Sequence, residues 1–139
     1  MTISTAIEVD RAPAEVFAYV TDPGRFHEWQ HGVVSGHMEG SRCVSRRRIG
    51  IGERDVTSEV THVDPPRSWA VRGIDGPIRA AVDVTVTPLE EGRRSRVEIG
   101  IDFTGHGIGK LLVPLVVVRQ ARREMPSNLK ALKRRLEGG

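Results

Sequence analysis

The chain has 139 residues, of which 38% are hydrophobic, 28% charged and only 4% aromatic, and it carries a formal net charge of +3. This length predicts a single domain, residues 1–139, with a core of its own, and the hydrophobic fraction is typical of a soluble globular protein. Because aromatic rings are scarce, bases of a single strand would find few stacking partners, so we expect no nucleic-acid partner.

Three sequence features predict a cytoplasmic protein. A single cysteine, Cys43, permits no internal disulfide, which suits a reducing compartment. The N-terminus has no apolar segment after a basic start, so no signal peptide is expected. The longest apolar run, Leu111–Val118, is far shorter than the roughly 20 residues that span a bilayer, so stable membrane insertion is not expected.

The first third of the chain predicts one strand and two short helices. Residues Thr2–Asp10 alternate between apolar and polar side chains, which indicates a half-buried strand. Pro13 suits the first position of a short helix. Asp22 can cap a second short helix that turns Trp29 inward and ends before Gly32.

The middle of the chain predicts an antiparallel sheet. Alternation of apolar and polar residues indicates strands that are wet on one face, and short turns rich in glycine, proline and aspartate separate them. Turns this short join neighbouring strands in a meander. The predicted strands lie near Val33–Glu39, Arg42–Ile49, Arg54–Val63, Ser68–Ile74, Ile78–Thr87 and Arg94–Phe103.

The turns of a meander alternate between the two ends of its sheet, so each turn can be assigned to an end. One end collects many turn glycines beside Trp29, whereas the opposite end carries Pro65 and Pro66. Because glycine lowers the cost of loop movement, we predict a deformable pocket mouth at the first end. The glycines are Gly50, Gly52, Gly73, Gly76, Gly105, Gly107 and Gly109.

A long helix is predicted over Ile108–Leu136, because apolar residues recur there at spacings of three and four. We expect Pro126 to kink it and its apolar stripe, which includes Leu111 and Leu115, to cover the sheet. The first half of the helix is apolar nearly all round. Its outer side is therefore predicted to contact either a second copy of the chain, as a homodimer, or a membrane surface.

Four segments carry recognisable motifs: Ala12–Val20, Asp22–Trp29, Val60–Arg67 and Asn128–Lys133. They resemble those of the START-like (SRPBCC) superfamily, the polyketide cyclase/dehydrase and lipid transport type. The resemblance implies an α+β helix-grip fold, in which a curved seven-stranded antiparallel sheet with two short helices wraps one long C-terminal helix. It also implies a cavity between sheet and helix that takes a hydrophobic or amphipathic small molecule, and we expect no cofactor. The alternative that it implies is a polyketide cyclase, aromatase or dehydratase.

Candidate ligand contacts follow from placing the sequence on that fold. Only Trp29 falls on a matching motif position, and an arginine would orient an acidic group of the ligand. Alternation along a strand sends Arg47 to one face and its two neighbours to the other. Edge protection by the strand arginines, and snorkelling of Arg122 to water, are the alternative interpretations. The candidates are Trp29, Trp69, Arg46, Arg48, Leu112, Leu115, Val116 and Arg122.

One motif points to metal chemistry. His27, Glu28 and His31 form an H-E-x-x-H pattern, which on a regular helix binds zinc with the glutamate as general base. The short helix predicted here must end by Gly32, so His31 would lie at its frayed end, and no familiar spacing marks a third ligand. We therefore predict no metal site and treat a zinc hydrolase as a remote alternative.

Overall fold

A computed structural model describes residues 2–49 and 51–138 of the chain. It confirms the predicted α+β helix-grip fold, with a seven-stranded antiparallel sheet, two short helices and a long C-terminal helix. The elements are β1 Thr2–Val9, α1 Pro13–Val20, a 3₁₀ helix Pro23–Glu28, β2 Val33–Glu39, β3 Arg42–Ile49, β4 Gly52–Asp64, β5 Ser68–Gly73, β6 Ile78–Leu89, β7 Arg94–Gly105, α2 Gly109–Leu112, a π-helical turn Val113–Val117 and α3 Val118–Gly138.

The strands form a meander that β1 closes, in the order β1-β7-β6-β5-β4-β3-β2. Their alternation places one set of aliphatic side chains on the inner face, where Val84 and Ile99 are paired neighbours on β6 and β7. The intervening residues, such as Asp83 and Thr85, are exposed. The sheet therefore offers a single apolar face to the helices.

The long C-terminal helix, α2 through α3, covers this face. Its second half buries Met125, Leu129, Leu132 and Leu136, which recur at helical spacing. Helical structure continues through Pro126, and the predicted kink there stays a prediction. A departure from α geometry lies earlier, at the π-helical turn, Val113–Val117. That turn contains Pro114, which has no N–H to donate.

The π-helical turn changes which side chains face the sheet. Its i→i+5 hydrogen bonding inserts one extra residue into a turn and shifts the positions that face inward. Val113 and Val118 are buried, whereas Leu111 and Leu115 are 61% and 63% exposed. The prediction that Leu111 and Leu115 point into the core was therefore wrong, because it assumed a uniform α-helical period.

Candidate ligand-binding cavity

A cavity of about 390 Å³ separates the sheet from the long C-terminal helix. Its wall comes from the inner face of the sheet, from the Pro23–Glu28 3₁₀ helix and the loop after it, and from the middle of the long helix. A volume of this size lies within the range of about 300–1,000 Å³ that is typical of small-molecule sites. The hollow implied by the resemblance is thus present.

Most of the cavity wall is apolar. Strands β5 to β7 contribute aliphatic side chains, and the long helix contributes Met125 and Leu129. Both tryptophans of the chain, Trp29 and Trp69, line the cavity and are each 7% exposed. Phe26 contacts both indoles edge to face, with ring centroids 6.0 Å from Trp29 and 6.4 Å from Trp69. This cluster fixes one apolar side of the wall.

The cavity also has a polar side, on β3. Cys43, Ser45 and Arg47 alternate along that strand and all line the cavity. Arg47 Nε donates to Ser45 Oγ at 3.0 Å, and Arg47 Nη2 donates to Gln30 Oε1 at 3.3 Å. Within the described residues, no carboxylate pairs with the Arg47 guanidinium. We call Gln30, Ser45 and Arg47 the polar cluster.

Burial affects the electrostatics of this cluster. It lowers the pKa of the Arg47 guanidinium, because desolvation disfavours the charged form. An arginine nevertheless remains protonated in a protein, so the cavity contains a cation that no acid among the described residues neutralises. Burial also raises the pKa of the Cys43 thiol, which keeps it neutral.

Trp29 contributes a hydrogen-bond donor without a partner to the same wall. Its indole Nε1 is buried and has no hydrogen-bond acceptor among the described residues. The backbone N–H of the same residue is satisfied by Phe26 O at 3.2 Å, so only the side-chain donor is left over. A buried donor without an acceptor costs about 1–3 kcal/mol. Among the described residues, the wall of one cavity therefore contains an indole N–H without an acceptor, at Trp29, and a guanidinium without a carboxylate partner, at Arg47.

Not all the candidate contacts lie in the wall. Trp29 and Trp69 do, and so does Arg48, although its side chain is exposed. Arg46 lies on the outer face of β3, where its Nε and Nη1 pair with Glu53 and Asp55 at 2.9 and 3.0 Å. Because side chains alternate along β3, Arg46 lies on the opposite face of the strand from Arg47. The two carboxylates pair with its guanidinium on that outer face, so Arg46 is not a cavity residue.

The candidates on the long helix lie outside the wall as well. Leu112 is partly buried, and Leu115, Val116 and Arg122 are exposed. The π-helical turn shifts the aliphatic candidates out of the cavity wall. Arg122 extends to water, as the snorkelling interpretation predicts. In their place the helix contributes Val117, Gln120, Met125, Asn128 and Leu129 to the wall.

The H-E-x-x-H pattern is not presented on one helix face. The 3₁₀ helix ends at Glu28, and the His31 backbone N–H donates to Asn128 Oδ1 at 3.0 Å. Glu28 Oε1 accepts a hydrogen bond of 2.9 Å from the Tyr19 hydroxyl, so the carboxylate that a zinc hydrolase would need as a base is already engaged. In the described part of the chain, no three His, Cys, Asp or Glu side chains are placed to hold a metal ion.

The glycine-bearing end of the sheet is more tightly packed than predicted. A Cβ on Gly109 would collide with the Pro77 carbonyl, and one on Gly105 would collide with the backbone of Gly109. The His106 N–H donates to Pro77 O at 2.8 Å, which joins the loop before β6 to the loop after β7. Glycine permits close backbone approach at these two positions. The deformable mouth stays a prediction, and Gly50 lies outside the described residues.

The sequence from residue 1 to 137 matches the family described as polyketide cyclase/dehydrase and lipid transport. The chain belongs to this family. That match confirms the resemblance drawn from the motifs. No curated protein matches the chain significantly, and none of the described helices is both long and apolar enough to cross a bilayer.

Several solved structures are similar to this chain over its whole fold. The Zhui aromatase/cyclase from a Streptomyces species superposes with a TM-score of 0.82 at 13% identity, over 99% of this chain and 93% of that one. A START superfamily protein from Mycobacterium smegmatis gives 0.80 at 16%, covering 99% and 97%. A conserved protein from Geobacillus kaustophilus gives 0.77 at 20%, covering 99% and 96%. At these identities the similarity establishes the fold.

Proposed function

We propose that this family member binds an amphipathic small molecule, with its apolar part between the sheet and the long helix and an acidic or oxyanionic head at Arg47. The observation that carries the proposal is the Arg47 guanidinium, which lies in a mainly apolar wall without a carboxylate partner among the described residues. A buried cation is costly unless it is paired, so the site is completed by an anionic guest.

The two parts of such a ligand would contribute differently to binding. The apolar part gains about 25 cal/mol for each Å² that it removes from water against the aliphatic and indole wall. The head gains a charge-assisted hydrogen bond, worth about 1.5–3 kcal/mol, from the guanidinium. The unsatisfied Trp29 Nε1–H is a second donor that a head-group oxygen would satisfy.

Binding without chemistry is favoured over catalysis by the composition of the wall. Among the described residues, the cavity is lined by no Asp, Glu, His or Tyr side chain. Burial raises the pKa of the Cys43 thiol, so it stays protonated at neutral pH and does not serve as a proton acceptor. Cyclisation and dehydration of a polyketide need a proton donor and acceptor in reach of the substrate. A carrier or ligand sensor needs neither.

A polyketide cyclase or dehydratase is the second candidate. Arg47 and Trp29 Nε1 together would donate hydrogen bonds to an enolate oxygen. Such donors stabilise the negative charge that develops on this oxygen during carbon–carbon bond formation. The two candidates differ in the fate of the bound molecule. A poly-β-ketone mimic recovered from the protein with unchanged mass and connectivity supports the carrier, and accelerated cyclisation or water loss supports the enzyme.

The proposal is tested with decanoate and decanol, which share a chain but differ in the charge of the head. Calorimetric titration of the purified protein is expected to show decanoate binding at least about tenfold more tightly than decanol. Arg47→Gln should abolish that preference while decanol affinity is retained. Arg46→Gln is the matched control, because it removes the same charge from the outer face of β3.

Equal affinities for decanoate and decanol in the natural protein would overturn the assignment of an anionic head. So would an equal loss of preference in the Arg46 and Arg47 variants, because the effect would then be one of general charge rather than of the cavity.

A further inference from the structure

The outer side of the long C-terminal helix exposes large aliphatic side chains. Ile108 and Leu111 are both 61% exposed, Leu115 is 63% exposed and Val116 is 51% exposed. Ile108 and Leu111 lie three residues apart at the start of the helix, and Leu115 and Val116 lie in the π-helical turn that follows. Because the π-helical turn directs Val113 and Val118 inward, it leaves Leu115 and Val116 in water. Contiguous exposure of this kind marks an interaction surface.

The same outer side continues into cations. Arg119 and Arg122 follow within the first two turns of α3, and both are exposed. None of Lys110, Arg119, Arg122 and Arg123 has a carboxylate partner among the described residues. The sequence has no Asp or Glu between Phe103 and Arg123. An aliphatic patch followed by unneutralised cations therefore covers more than three turns of helix.

We propose that this surface, formed by Ile108, Leu111, Leu115, Val116, Arg119 and Arg122, docks reversibly on an anionic lipid bilayer. We call it the docking face. Aliphatic side chains that enter the acyl boundary, with cations beside them at the level of the phosphates, are the arrangement by which a helix lies in a membrane interface. The docking face lies outside the cavity wall, and the proposal does not depend on what the cavity binds.

Charge selects this partner over a second copy of the chain. A two-fold contact centred on the docking face would set the arginines of one copy into the same interface as those of the other. The nearest acid, Glu124, is turned toward His31 Nε2 at 3.9 Å and accepts from Gln120 at 3.0 Å, so it leaves those arginines unpaired. A bilayer with anionic headgroups complements both halves of the surface at once.

The position of the docking face suits transfer between bilayer and cavity. Leu115, Val116 and Arg119 border a shallow groove of about 270 Å³, to which Gln120 also contributes. Gln120 and Val117 line the ligand cavity on the other side of the same helix. Only the thickness of one helix therefore separates the docking face from the cavity.

The test is co-sedimentation of the full chain with vesicles of phosphatidylcholine, with and without phosphatidylserine. We expect binding only to the anionic vesicles, weakened by added salt. The double variant Leu111→Ser with Leu115→Ser should abolish it. The double variant Arg119→Ser with Arg122→Ser should lower the partition coefficient at least about tenfold, since each cation near such a surface contributes about fivefold.

Matched variants keep the test specific. Met38→Ser with Val63→Ser removes exposed aliphatic side chains elsewhere, and Arg134→Ser with Arg135→Ser removes two exposed cations near the end of the same helix. Both should bind vesicles like the natural protein. All variants alter exposed residues, and unchanged far-ultraviolet circular dichroism and urea midpoints will show that each is folded.

Three outcomes would overturn the proposal. They are failure of the natural protein to bind anionic vesicles, an equal loss in the matched variants, and a dimer in sedimentation equilibrium that Leu111→Ser with Leu115→Ser dissociates. The last result would assign the docking face to a second copy of the chain.

Discussion

Arg47 Nη2 donates a hydrogen bond of 3.3 Å to Gln30 Oε1, which joins strand β3 to the loop after the Pro23–Glu28 3₁₀ helix. With Ser45 Oγ, 3.0 Å from Arg47 Nε, this gives the guanidinium two neutral acceptors. They accept hydrogen bonds from some of its N–H groups but do not neutralise its positive charge. The protein thus retains a cation in a desolvated wall, which costs stability and becomes favourable when an anion binds beside it.

The first prediction is that Arg47→Met stabilises the protein in the absence of ligand. Methionine fills a similar volume with no charge to desolvate, so the free energy of unfolding should rise by about 1 kcal/mol, measured by urea denaturation. The same variant should lose its preference for decanoate over decanol. Arg46→Met serves as the control: it removes only solvent-exposed ion pairs with Glu53 and Asp55, so its unfolding free energy should change little. A clear destabilisation by Arg47→Met would show that the guanidinium is needed for folding.

The second prediction compares the two tryptophans of the wall. Trp29→Phe loses packed volume but also removes a buried N–H that has no acceptor, so the two effects should nearly cancel in the unfolding free energy. Trp69→Phe has no such unsatisfied donor to remove, and we expect it to cost about 1–2 kcal/mol. Urea midpoints of the two variants measure the difference. Equal destabilisation would mean that Trp29 Nε1 is satisfied in solution.

The third prediction concerns the packed end of the sheet. Gly109→Ala places a Cβ against the Pro77 carbonyl and should destabilise the protein by about 1–3 kcal/mol, because neither backbone can yield easily. Gly100→Ala, on β7, meets no atom within 4 Å and should be neutral or slightly stabilising. The melting temperatures of the two variants measure this difference in stability. If Gly109→Ala is as well tolerated as Gly100→Ala, this end is the deformable mouth that the sequence suggested.

The fourth prediction is a pH dependence that originates at Tyr19. Burial, and then the hydrogen bond that its hydroxyl donates to Glu28, raise the pKa of Tyr19 to about 12. An unfolded tyrosine ionises near pH 10, so the unfolded chain loses its proton first and stability falls as pH rises from about 10 to about 12. Below that window the contribution is fully present. Tyr19→Phe should reduce this part of the slope and leave the part due to lysines.

Tyr19 is the sole tyrosine of the chain, so the ultraviolet absorbance of tyrosinate follows it alone. A titration near pH 10 in the folded protein would contradict both the burial of the hydroxyl and its bond to Glu28.

Much of the fold could be predicted because its signals are local. Alternation with a period of two marked the strands, and glycine, proline and aspartate marked the turns between them. Meander order then followed from the short connections, and the structure confirms it. The long helix was equally clear as an element, from Gly109 to Gly138 as observed.

The site was harder to predict because it depends on which face of each element turns inward. Alternation separated Arg47 from Arg46 and Arg48 but did not say which parity faces the cavity. The small side chains of Cys43 and Ser45, which share the parity of Arg47, were the signal that could have decided it. Along the long helix, the π-helical turn shifted the inward positions in a way that a count based on 3.6 residues per turn cannot reveal.

The most direct test of the central claim is a crystal structure of the protein determined with decanoate present. We expect the alkyl chain to lie between the sheet and the long C-terminal helix, against Trp29 and Trp69, with its carboxylate within hydrogen-bonding distance of Arg47. Decanoate bound only outside this space, or a cavity closed by the protein's own side chains while decanoate is absent from it, would contradict the account.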